Sequence, residues 1–416
     1  MAHLAINGGP KVREKAFPRW PVHGEAERKA ILEVLESGQW GGVEQRVVPQ
    51  FEEQFAALHQ CAHGVTCTNG TAALEIAIRA LGISFGDEVI LPPYTFIASA
   101  TAILLNQAIP VFVDIDPETY TLDPSKIEEA ITPKTKAIMA VHIAGMPCDM
   151  DAILHIANKH KLAVIEDSAQ AHGAEWAGQR VGSIGTVGCF SFQSSKNMTS
   201  GEGGIIVTND QEVYDRCWSI HNVGRIPGGR WYEHPNLGGN YRMTEWQAAI
   251  LLAQMGRLHD QMKVRDANAR YLSEKLSQIP GVSAQKRPEK VTSHAYHIFI
   301  SRYNAEAFGG VDRGLFLNAL SAEGIPCSGG YVPLYREAVF SRVHTSECPF
   351  TCKHVERVVD YSKVSCPVAE HASTSEGVWF SQPMLTGDRS DMDSIVEAIA
   401  KIHAHRDELK KASESA

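Results

Sequence analysis

Short apolar runs alternate with segments of helical periodicity between residues 64 and 208. Most of the intervening segments carry apolar residues at the spacing of one helix face, as in residues 71–81 and 95–106. Apolar strands separated by helices are typical of a mainly parallel sheet that is buried on both faces. We therefore predict an α/β fold with a mainly parallel seven-stranded sheet, whose strands span residues 64–67, 88–91, 111–114, 137–142, 163–166, 188–192 and 204–208.

The sequence on either side of this region predicts an N-terminal segment, two domains, and further helices and strands. Residues 1–24 are mostly polar and contain Pro18 and Pro21, which predicts an extended N-terminal segment. Residues 25–260 would form a large domain, and residues 261–416 a smaller C-terminal α/β domain with a charged tail that frays. Further helices are predicted at 25–37, 49–59, 244–277, 313–322 and 390–403, and further strands at 297–301 and 325–328.

The composition excludes several classes of protein. Of 416 residues, 44% are hydrophobic and 21% are charged, which is the balance of an ordinary soluble enzyme. A net charge of −9 gives no indication of a nucleic-acid surface. No apolar run is long enough to cross a bilayer, and the first residues lack the apolar core of a signal peptide. Nine cysteines without regular spacing indicate reduced thiols, so we predict a cytoplasmic protein.

One cluster contains residue types that can bind zinc, namely His344, Cys348, Cys352, His354 and Cys366. The spacing from Cys348 to Cys352 and His354 matches no common zinc finger, and no second tight pair follows. We therefore predict that these cysteines are loop thiols and that the chain binds no metal.

A single lysine, Lys196, lies in a polar, glycine-rich loop between the strands predicted at 188–192 and 204–208. The apolar runs on both sides would partly shield it from water, and desolvation lowers the pKa of a lysine and exposes a nucleophilic amine. Such a lysine can form a Schiff base with an aldehyde, for which pyridoxal phosphate is the usual source. The alternative is an ordinary solvated loop lysine, so the choice depends on the residues that precede it.

The sequence Thr68-Asn69-Gly70-Thr71 stands between a predicted strand and a predicted helix. A helix N-terminus offers free N–H groups and the positive end of the helix dipole, which suit a phosphate, and a glycine lets the backbone approach closely. The alternative is an ordinary N-cap at Thr68 or Asn69. The turn falls at the carboxyl end of a strand, where the active sites of parallel sheets lie.

Two further residues suit a flat, cationic ring. Asp167 follows an apolar strand, and a carboxylate there can pair with a protonated pyridine nitrogen, which keeps the ring an electron sink. Phe96 can stack on such a ring. The alternatives are a helix N-cap for Asp167 and a core position for Phe96. Each signal is weak alone, but the phosphate turn, the aromatic, the acid and the lysine in this order describe one cofactor, pyridoxal phosphate.

Several motifs make the sequence similar to a known family. They are TNGTAALEIA from residue 68, PPYTFIASA from 92, IEDSAQAHGA from 165, FSFQSSKNMTSGEGG from 190 and GGNYRMTEWQAAI from 238. Through them, and over about residues 18–402, the chain resembles the DegT/DnrJ/EryC1/StrS family of pyridoxal-phosphate aminotransferases, which act on sugars and aminocyclitols. The resemblance implies the fold-type I aminotransferase architecture, in agreement with the α/β prediction above.

The resemblance also implies a role for individual residues. Lys196 would form the Schiff base with the cofactor, and Asp167 would pair with its pyridine nitrogen. Asn240 would reach the phosphate of the neighbouring subunit, which implies a homodimer with shared active sites. The remaining residues would be Gly70, Thr71 and Ser191 at the phosphate, Phe96 stacked on the ring and Gln170 against the ring substituents.

The reaction that the resemblance implies is transamination in two half-reactions. An amino donor, L-glutamine or L-glutamate, would give up its amino group with Lys196 as general base and acid. A keto-sugar or a keto-cyclitol, such as a scyllo-inosose-type ketone, would then take the amine. Relatives that remove a hydroxyl instead lack the lysine, and Lys196 is present here.

The resemblance leaves a choice between branches of the family. Residues 17–40 look more like the cyclitol and aminohydroxybenzoate-synthase branch than the nucleotide-sugar branch, and residues 329–335 lack the His-Tyr opening common in nucleotide-sugar enzymes. The alternatives are a nucleotide-sugar aminotransferase, a synthase that eliminates water to make an aromatic amino acid with the same lysine, and a regulator that binds the cofactor without turnover. The presence of Lys196, Asp167 and Gln170 together argues against the regulator.

Overall fold

The computed structural model describes residues 3–343 and 360–409. The α-helices of these ranges are α1 (Glu25–Ser37), α2 (Val47–Leu58), α3 (Gly70–Ala80), α4 (Ala98–Leu105), α5 (Ile127–Ala130), α6 (Met150–His160), α7 (Gln211–His221), α8 (Glu245–Leu276), α9 (Arg313–Ala322), α10 (Ala338–Arg342), α11 (Pro367–His371) and α12 (Arg389–Ala404). The strands are β1 (His63–Cys67), β2 (Glu88–Leu91), β3 (Ile109–Phe112), β4 (Thr135–Val141), β5 (Ala163–Asp167), β6 (Glu175–Trp176), β7 (Gln179–Arg180), β8 (Val187–Ser191), β9 (Gly204–Thr208), β10 (Val282–Ala284), β11 (Ile298–Tyr303) and β12 (Gly377–Ser381).

One sheet has seven strands in the order β1-β9-β8-β5-β4-β2-β3. The neighbouring pairs from β8 to β3 are parallel, whereas β9 runs antiparallel to both β8 and β1. Strand β9 follows β8 through a loop without a crossover helix, and a direct connection of this kind suits antiparallel neighbours. The predicted α/β fold with a mainly parallel seven-stranded sheet is therefore confirmed.

Both faces of this sheet are buried, as strand β2 illustrates. Val89 and Leu91 belong to an apolar cluster with Ile76 of α3. Ile90 belongs to a separate cluster with Ile153 of α6. Successive side chains of a strand point to opposite faces, so a strand covered by helices on both sides must be apolar throughout. Burial on both faces explains why the strands appear in the sequence as continuous apolar runs.

A second apolar core surrounds the antiparallel sheet β10-β11-β12. Phe299 of β11 and Phe380 of β12 lie in one cluster with Phe316 of α9 and Ile395 of α12. Leu4, near the N-terminus, is fully buried in the same cluster. The N-terminal segment therefore packs against the C-terminal half of the chain.

Helix α8 spans 32 residues and joins the two cores. Leu251, near its start, is buried in a cluster with side chains of α2 and β9, and Leu272, near its end, is buried in the second core. A boundary at residue 260 would fall inside this continuous helix. The division into residues 1–24, 25–260 and 261–416 stays a prediction.

The predicted strand at 325–328 is wrong. Ser328 alone pairs with a neighbour, in an isolated bridge to Trp379, and the third strand of the small sheet is β12. Pro326 has no N–H to donate to a ladder, and Ile325 N instead donates to Leu320 O at the end of α9.

Helix α7 occupies a stretch where the sequence analysis predicts no regular element. Across the described ranges, no helix has both the length and the apolar character needed to span a membrane.

Candidate active site

A cavity of about 820 Å³ lies at the carboxyl ends of the parallel strands. Val141, Asp167 and Ser191, the last residues of β4, β5 and β8, form part of its wall. This is the expected position for the active site of an open α/β sheet. Every predicted site residue except Asn240 lines the cavity: Gly70, Thr71, Phe96, Asp167, Gln170, Ser191 and Lys196.

Lys196 lies in the loop that joins β8 to β9. Within this loop, Thr199 Oγ1 donates to Phe192 O at 2.9 Å. The residue after the lysine, Asn197, is buried, and its Nδ2 donates to Ala295 O at 2.7 Å. The backbone of Lys196 is therefore held between the large sheet and the segment that leads into β11.

The side chain of Lys196 is half-buried and faces the cavity. Burial lowers its pKa from 10.5 to about 8, and the charge of Asp167 acts in the opposite direction. A lysine with this pKa has a neutral amine in a substantial fraction of molecules near pH 8, and the neutral amine is both the nucleophile and the base. The alternative of a fully solvated loop lysine does not fit this position.

Asp167 is buried, and both of its carboxylate oxygens accept hydrogen bonds. Ser99 Oγ donates to Oδ2 at 2.7 Å, and Ala169 N donates to Oδ1 at 3.2 Å. The hydroxyls of Thr95 and Ser99 are themselves 3.0 Å apart. In the part of the chain that the structure describes, the next element after β5 is the short strand β6, so the alternative of a helix N-cap at Asp167 is wrong.

Helix α3 begins at Gly70, and Asn69 caps it by accepting Ala72 N at 2.9 Å. The first N–H groups of a helix nevertheless have no partner inside the helix, and this end carries positive partial charge. A Cβ at position 70 would lie 2.6 Å from Ser191 Cβ, so only glycine allows the helix to approach the end of β8 this closely. Gly70, Thr71 and Ser191 thus form a narrow cradle of N–H and hydroxyl donors, which fits a phosphate.

Phe96 is 53% exposed and lines the cavity, so the alternative of a core aromatic is wrong. Its ring centroid lies 6.3 Å from that of Tyr331. Gln170 Nε2 is within 3.2 Å of Tyr331 OH, and its Oε1 accepts Ala144 N at 2.7 Å. Burial raises the pKa of Tyr331 to about 12, so the phenol stays protonated. Tyr331 therefore connects Phe96 and Gln170 in one wall of the cavity.

Asn240 lies apart from the other predicted site residues. It is exposed, forms an isolated bridge with Asn222 and accepts Arg242 N at 3.4 Å. The loop that precedes it exposes Trp231 and Tyr232, which are 75% and 78% accessible. The predicted contact of Asn240 with the phosphate of a neighbouring subunit stays a prediction.

The sequence analysis does not identify Ser99, Tyr331 and His297, which belong to this site. Ser99 contacts Asp167, while Tyr331 and His297 line the cavity. A usable signal exists for Ser99, because a hydroxyl in the first turn of a helix that follows a strand end faces the same edge of the sheet as the strand-end acid. His297 stands at the start of a predicted strand, and its proximity to the lysine loop depends on the packing of the second sheet.

Most of the cluster considered for zinc, from His344 to His354, lies outside the described residues. Cys366 is described and is buried. Elsewhere in the described ranges, His3, His405 and Glu408 bring potential ligand atoms within 4.8 Å of one another at the protein surface. None of these three residues lines the cavity.

Known proteins with similar sequences include aminotransferases. Residues 21–375 match the profile of the DegT/DnrJ/EryC1/StrS aminotransferase family. A protein of Streptoalloteichus tenebrarius provisionally named L-glutamine:3-amino-2,3-dideoxy-scyllo-inosose aminotransferase is 41% identical, over 98% of this chain and 100% of that protein. The L-glutamine:2-deoxy-scyllo-inosose aminotransferase of the same organism is 38% identical, over 98% of this chain and 99% of that one.

A solved structure has the same fold as this chain. The crystal structure of 3-amino-5-hydroxybenzoic acid synthase superposes with a TM-score of 0.85 and 36% identity, over 94% of this chain and 100% of that one. The fold predicted from the resemblance is thereby confirmed, and so is the resemblance itself. Because the family match covers most of the sequence, the chain is an aminotransferase that belongs to the DegT/DnrJ/EryC1/StrS family.

Proposed function

We propose that this aminotransferase uses pyridoxal phosphate to move an amino group from L-glutamine to a keto-cyclitol of the scyllo-inosose type. The observation that carries the proposal is the shared cavity of Lys196, whose pKa burial lowers to about 8, and Asp167, whose carboxylate is fixed by Ser99. The donor and acceptor are supported by relatives named for L-glutamine and for deoxy-scyllo-inosose ketones. L-glutamate is the alternative donor, and a keto-sugar is the alternative acceptor.

The donor set of the cavity fits the parts of pyridoxal phosphate. The cradle of Gly70, Thr71 and Ser191 suits the phosphate. Asp167 suits a protonated pyridine nitrogen, and Phe96 offers an accessible aromatic face. When bound, the cofactor supplies an aldehyde that condenses with amines and a ring that withdraws electrons.

The chain itself would supply positioning and proton transfer. Lys196 Nζ would hold the cofactor until the donor arrives and would then be a free amine. With a pKa of about 8 it can take the proton from the donor Cα and return a proton in the second half-reaction. Asp167 would share a proton with the ring nitrogen, in the orientation that Ser99 and Ala169 fix.

The cavity suits a polyhydroxylated ring in size and polarity. A volume of about 820 Å³ is within the usual range for sites that bind a cofactor or small molecule. Hydrogen-bonding groups that can meet ring hydroxyls also line it, namely Gln193, Ser195, Glu202 and Tyr241.

A homodimer is the proposed active unit. Asn240 is exposed, and the preceding loop carries the accessible apolar side chains Trp231, Tyr232 and Leu237. Clustered exposed apolar side chains favour burial against a partner.

We also propose a cytoplasmic location, since the cysteines in the described ranges are free thiols, most of them buried.

The second candidate is a synthase that eliminates water and forms an aromatic amino acid with the same lysine. The similarity to 3-amino-5-hydroxybenzoic acid synthase, over nearly the whole of both chains, favours this candidate. A nucleotide-sugar aminotransferase is the weaker alternative, because residues 329–335 lack the His-Tyr opening common in nucleotide-sugar enzymes. The described residues give no observation that favours a regulator that binds the cofactor without turnover.

The proposal is tested by trapping the lysine in one sample and supplying substrates to another. Purified protein is reduced with borohydride and digested, and mass spectrometry should find the pyridoxyl group on the peptide that contains Lys196. Lys196→Ala, the control, should carry none. In a separate, unreduced sample, L-glutamine should bleach the cofactor absorbance, and a deoxy-scyllo-inosose ketone should restore it. A pyridoxyl group on another residue would overturn the proposal, and a product with an aromatic absorption band would favour the synthase.

A further inference from the structure

We infer, on the basis of the role proposed for Lys196, that His297 is a positioning residue whose Nε2 lone pair faces the cavity and holds the lysine when its amine is free. His297 is buried at the segment that leads into β11 and lines the same cavity as Lys196. Its hydrogen bonds determine which of its nitrogens carries a proton.

The amide of Asn197 fixes the tautomer of His297. Ala295 O can only accept, so the Asn197 atom that lies 2.7 Å from it is the donor Nδ2. The amide oxygen Oδ1 therefore faces His297 Nδ1, at 3.1 Å. An amide oxygen can only accept, so Nδ1 carries the proton. A neutral imidazole has one N–H, which leaves Nε2 as an acceptor.

The surroundings of His297 keep the ring neutral. Burial lowers its pKa well below the usual value, and the positive charges of Lys196 and Arg265, together with the nearby ring of His172, act in the same direction. Among the described residues, no acidic group is one of the neighbours that shift this pKa. The ring therefore does not take a second proton, and Nε2 remains an acceptor at neutral pH.

Lys196 and His297 both line the cavity and carry complementary groups. Within residues 3–343 and 360–409, neither Lys196 Nζ nor His297 Nε2 has a hydrogen-bond partner. An ammonium has only donors, and the imidazole lone pair only accepts. The flexible stem of the lysine lets Nζ move to this acceptor once it is free. Because Asn197 adjoins Lys196 in sequence and bonds to His297, the acceptor is fixed to the loop that carries the amine.

A neutral acceptor at His297 Nε2 would change the pKa of Lys196. Burial disfavours the ammonium form of Lys196, and Asp167 favours it. A hydrogen bond to His297 would favour the ammonium further without adding a charge to the cavity. Removal of the acceptor should therefore make Lys196 lose its proton at lower pH.

The test measures the titration of Lys196 in cofactor-free protein, so its result does not depend on turnover or on cofactor binding. The rate of acetylation of Lys196 by acetic anhydride is followed by mass spectrometry as a function of pH. In His297→Phe, which keeps a ring but removes the lone pair, the midpoint should fall by about one pH unit. In His297→Gln, whose amide oxygen can replace Nε2, the midpoint should stay near that of the wild type.

The matched control is His294→Phe. His294 is also buried, but its Nδ1 accepts Tyr296 N and it does not line the cavity. Its replacement should leave the midpoint of Lys196 unchanged. An unchanged or raised midpoint in His297→Phe, or the same fall in His294→Phe, would overturn the inference.

A measurement on the unmutated ring covers the case in which His297→Phe does not fold. In protein labelled with ¹⁵N-histidine, the nitrogen spectrum of His297 should show Nε2 as the unprotonated atom and Nδ1 as the protonated atom. The Nε2 signal should change in Lys196→Met, which removes the donor. A proton on Nε2, or a spectrum that is insensitive to Lys196→Met, would contradict the assignment. Failure of borohydride to label Lys196 would overturn the proposed function but would leave these results unaffected.

Discussion

Ser99 Oγ donates a hydrogen bond of 2.7 Å to Oδ2 of Asp167, and both side chains are buried. Ser99 stands in the first turn of α4, whereas Asp167 ends β5, so the bond ties a helix N-terminus to a strand end. With Oδ1 accepting Ala169 N, the plane of the carboxylate is fixed before any ligand binds. A preorganised group of this kind loses little freedom on binding, which favours both affinity and rate.

Ser99→Ala should reduce turnover roughly tenfold, because a hydrogen bond to a charged group contributes about 1.5–3 kcal/mol and part of that contribution orients Asp167. Ser99→Thr keeps the hydroxyl and should retain most of the activity. The control is Thr101→Ala, in the same helix, where Oγ1 donates only to Ala98 O at 3.5 Å. Steady-state kinetics with saturating donor distinguish the variants. Equal losses in Ser99→Ala and Thr101→Ala would mean that α4 is merely destabilised.

Asp167→Asn should shift the titration of Lys196 to lower pH. In the wild type, burial lowers the pKa of Lys196 to about 8 and the charge of Asp167 raises it. The asparagine removes the charge but leaves the burial, so the pKa should fall by about one further unit. Acetylation of Lys196 against pH in cofactor-free protein gives the midpoint. Glu202→Gln removes another carboxylate that lines the cavity and serves as control. A midpoint that rises in Asp167→Asn would contradict the electrostatic coupling.

The sheet and much of the site follow from local sequence. Strand β2 is apolar at every position because helices cover both of its faces, and this pattern is visible without a structure. Asp167, Ser191 and Gly70 meet because each stands at or just after the end of a strand of one sheet. The strand wrongly predicted at 325–328 shows the opposite case, since apolar residues alone do not reveal whether a partner strand is within reach.

The hydrogen bonds that orient the side chains of the site join residues that are far apart in sequence. Ser99 and Asp167 are 68 residues apart in sequence, and Asn197 and His297 are 100 residues apart. Which hydroxyl meets the aspartate, and which histidine meets the lysine loop, depends on how α4 and β11 pack against the large sheet. Periodicity predicts the elements but carries no information on these distances.

Gly70→Ala should weaken cofactor binding more than it weakens the fold. The added Cβ would lie 2.6 Å from Ser191 Cβ, so α3 must move away from the end of β8 and the cradle must open. Overpacking of this kind typically costs about 1–3 kcal/mol. Titration with pyridoxal phosphate gives the affinity, and thermal unfolding gives the stability.

Two further variants show whether the effect of Gly70→Ala arises in the cradle. Gly256→Ala is the matched control, because a Cβ at this position within α8 meets no atom within 4 Å and alanine favours a helix. It should leave affinity unchanged. Replacing the neighbour as well, in Gly70→Ala with Ser191→Gly, removes the contact with Ser191 Cβ and leaves only the backbone Cα, at 3.3 Å. This double variant should recover part of the stability, while the Ser191 hydroxyl stays lost. Unchanged affinity in Gly70→Ala would rule out a phosphate at this cradle.

Mixing two inactive variants should restore activity if the active sites are shared between subunits. Asn240→Asp would place a negative charge at the phosphate of the partner's site, and Lys196→Ala would remove the amine from its own site. In a mixed dimer, one site combines the intact Lys196 of the first variant with the intact Asn240 of the second, while the other site carries both defects. Co-expression with two different tags isolates the mixed dimer, and its turnover is compared with that of each parent. Activity confined to the mixed dimer requires a residue contributed across the interface. A mixed dimer as inactive as its parents, or full activity of Asn240→Asp alone, would exclude that role for Asn240.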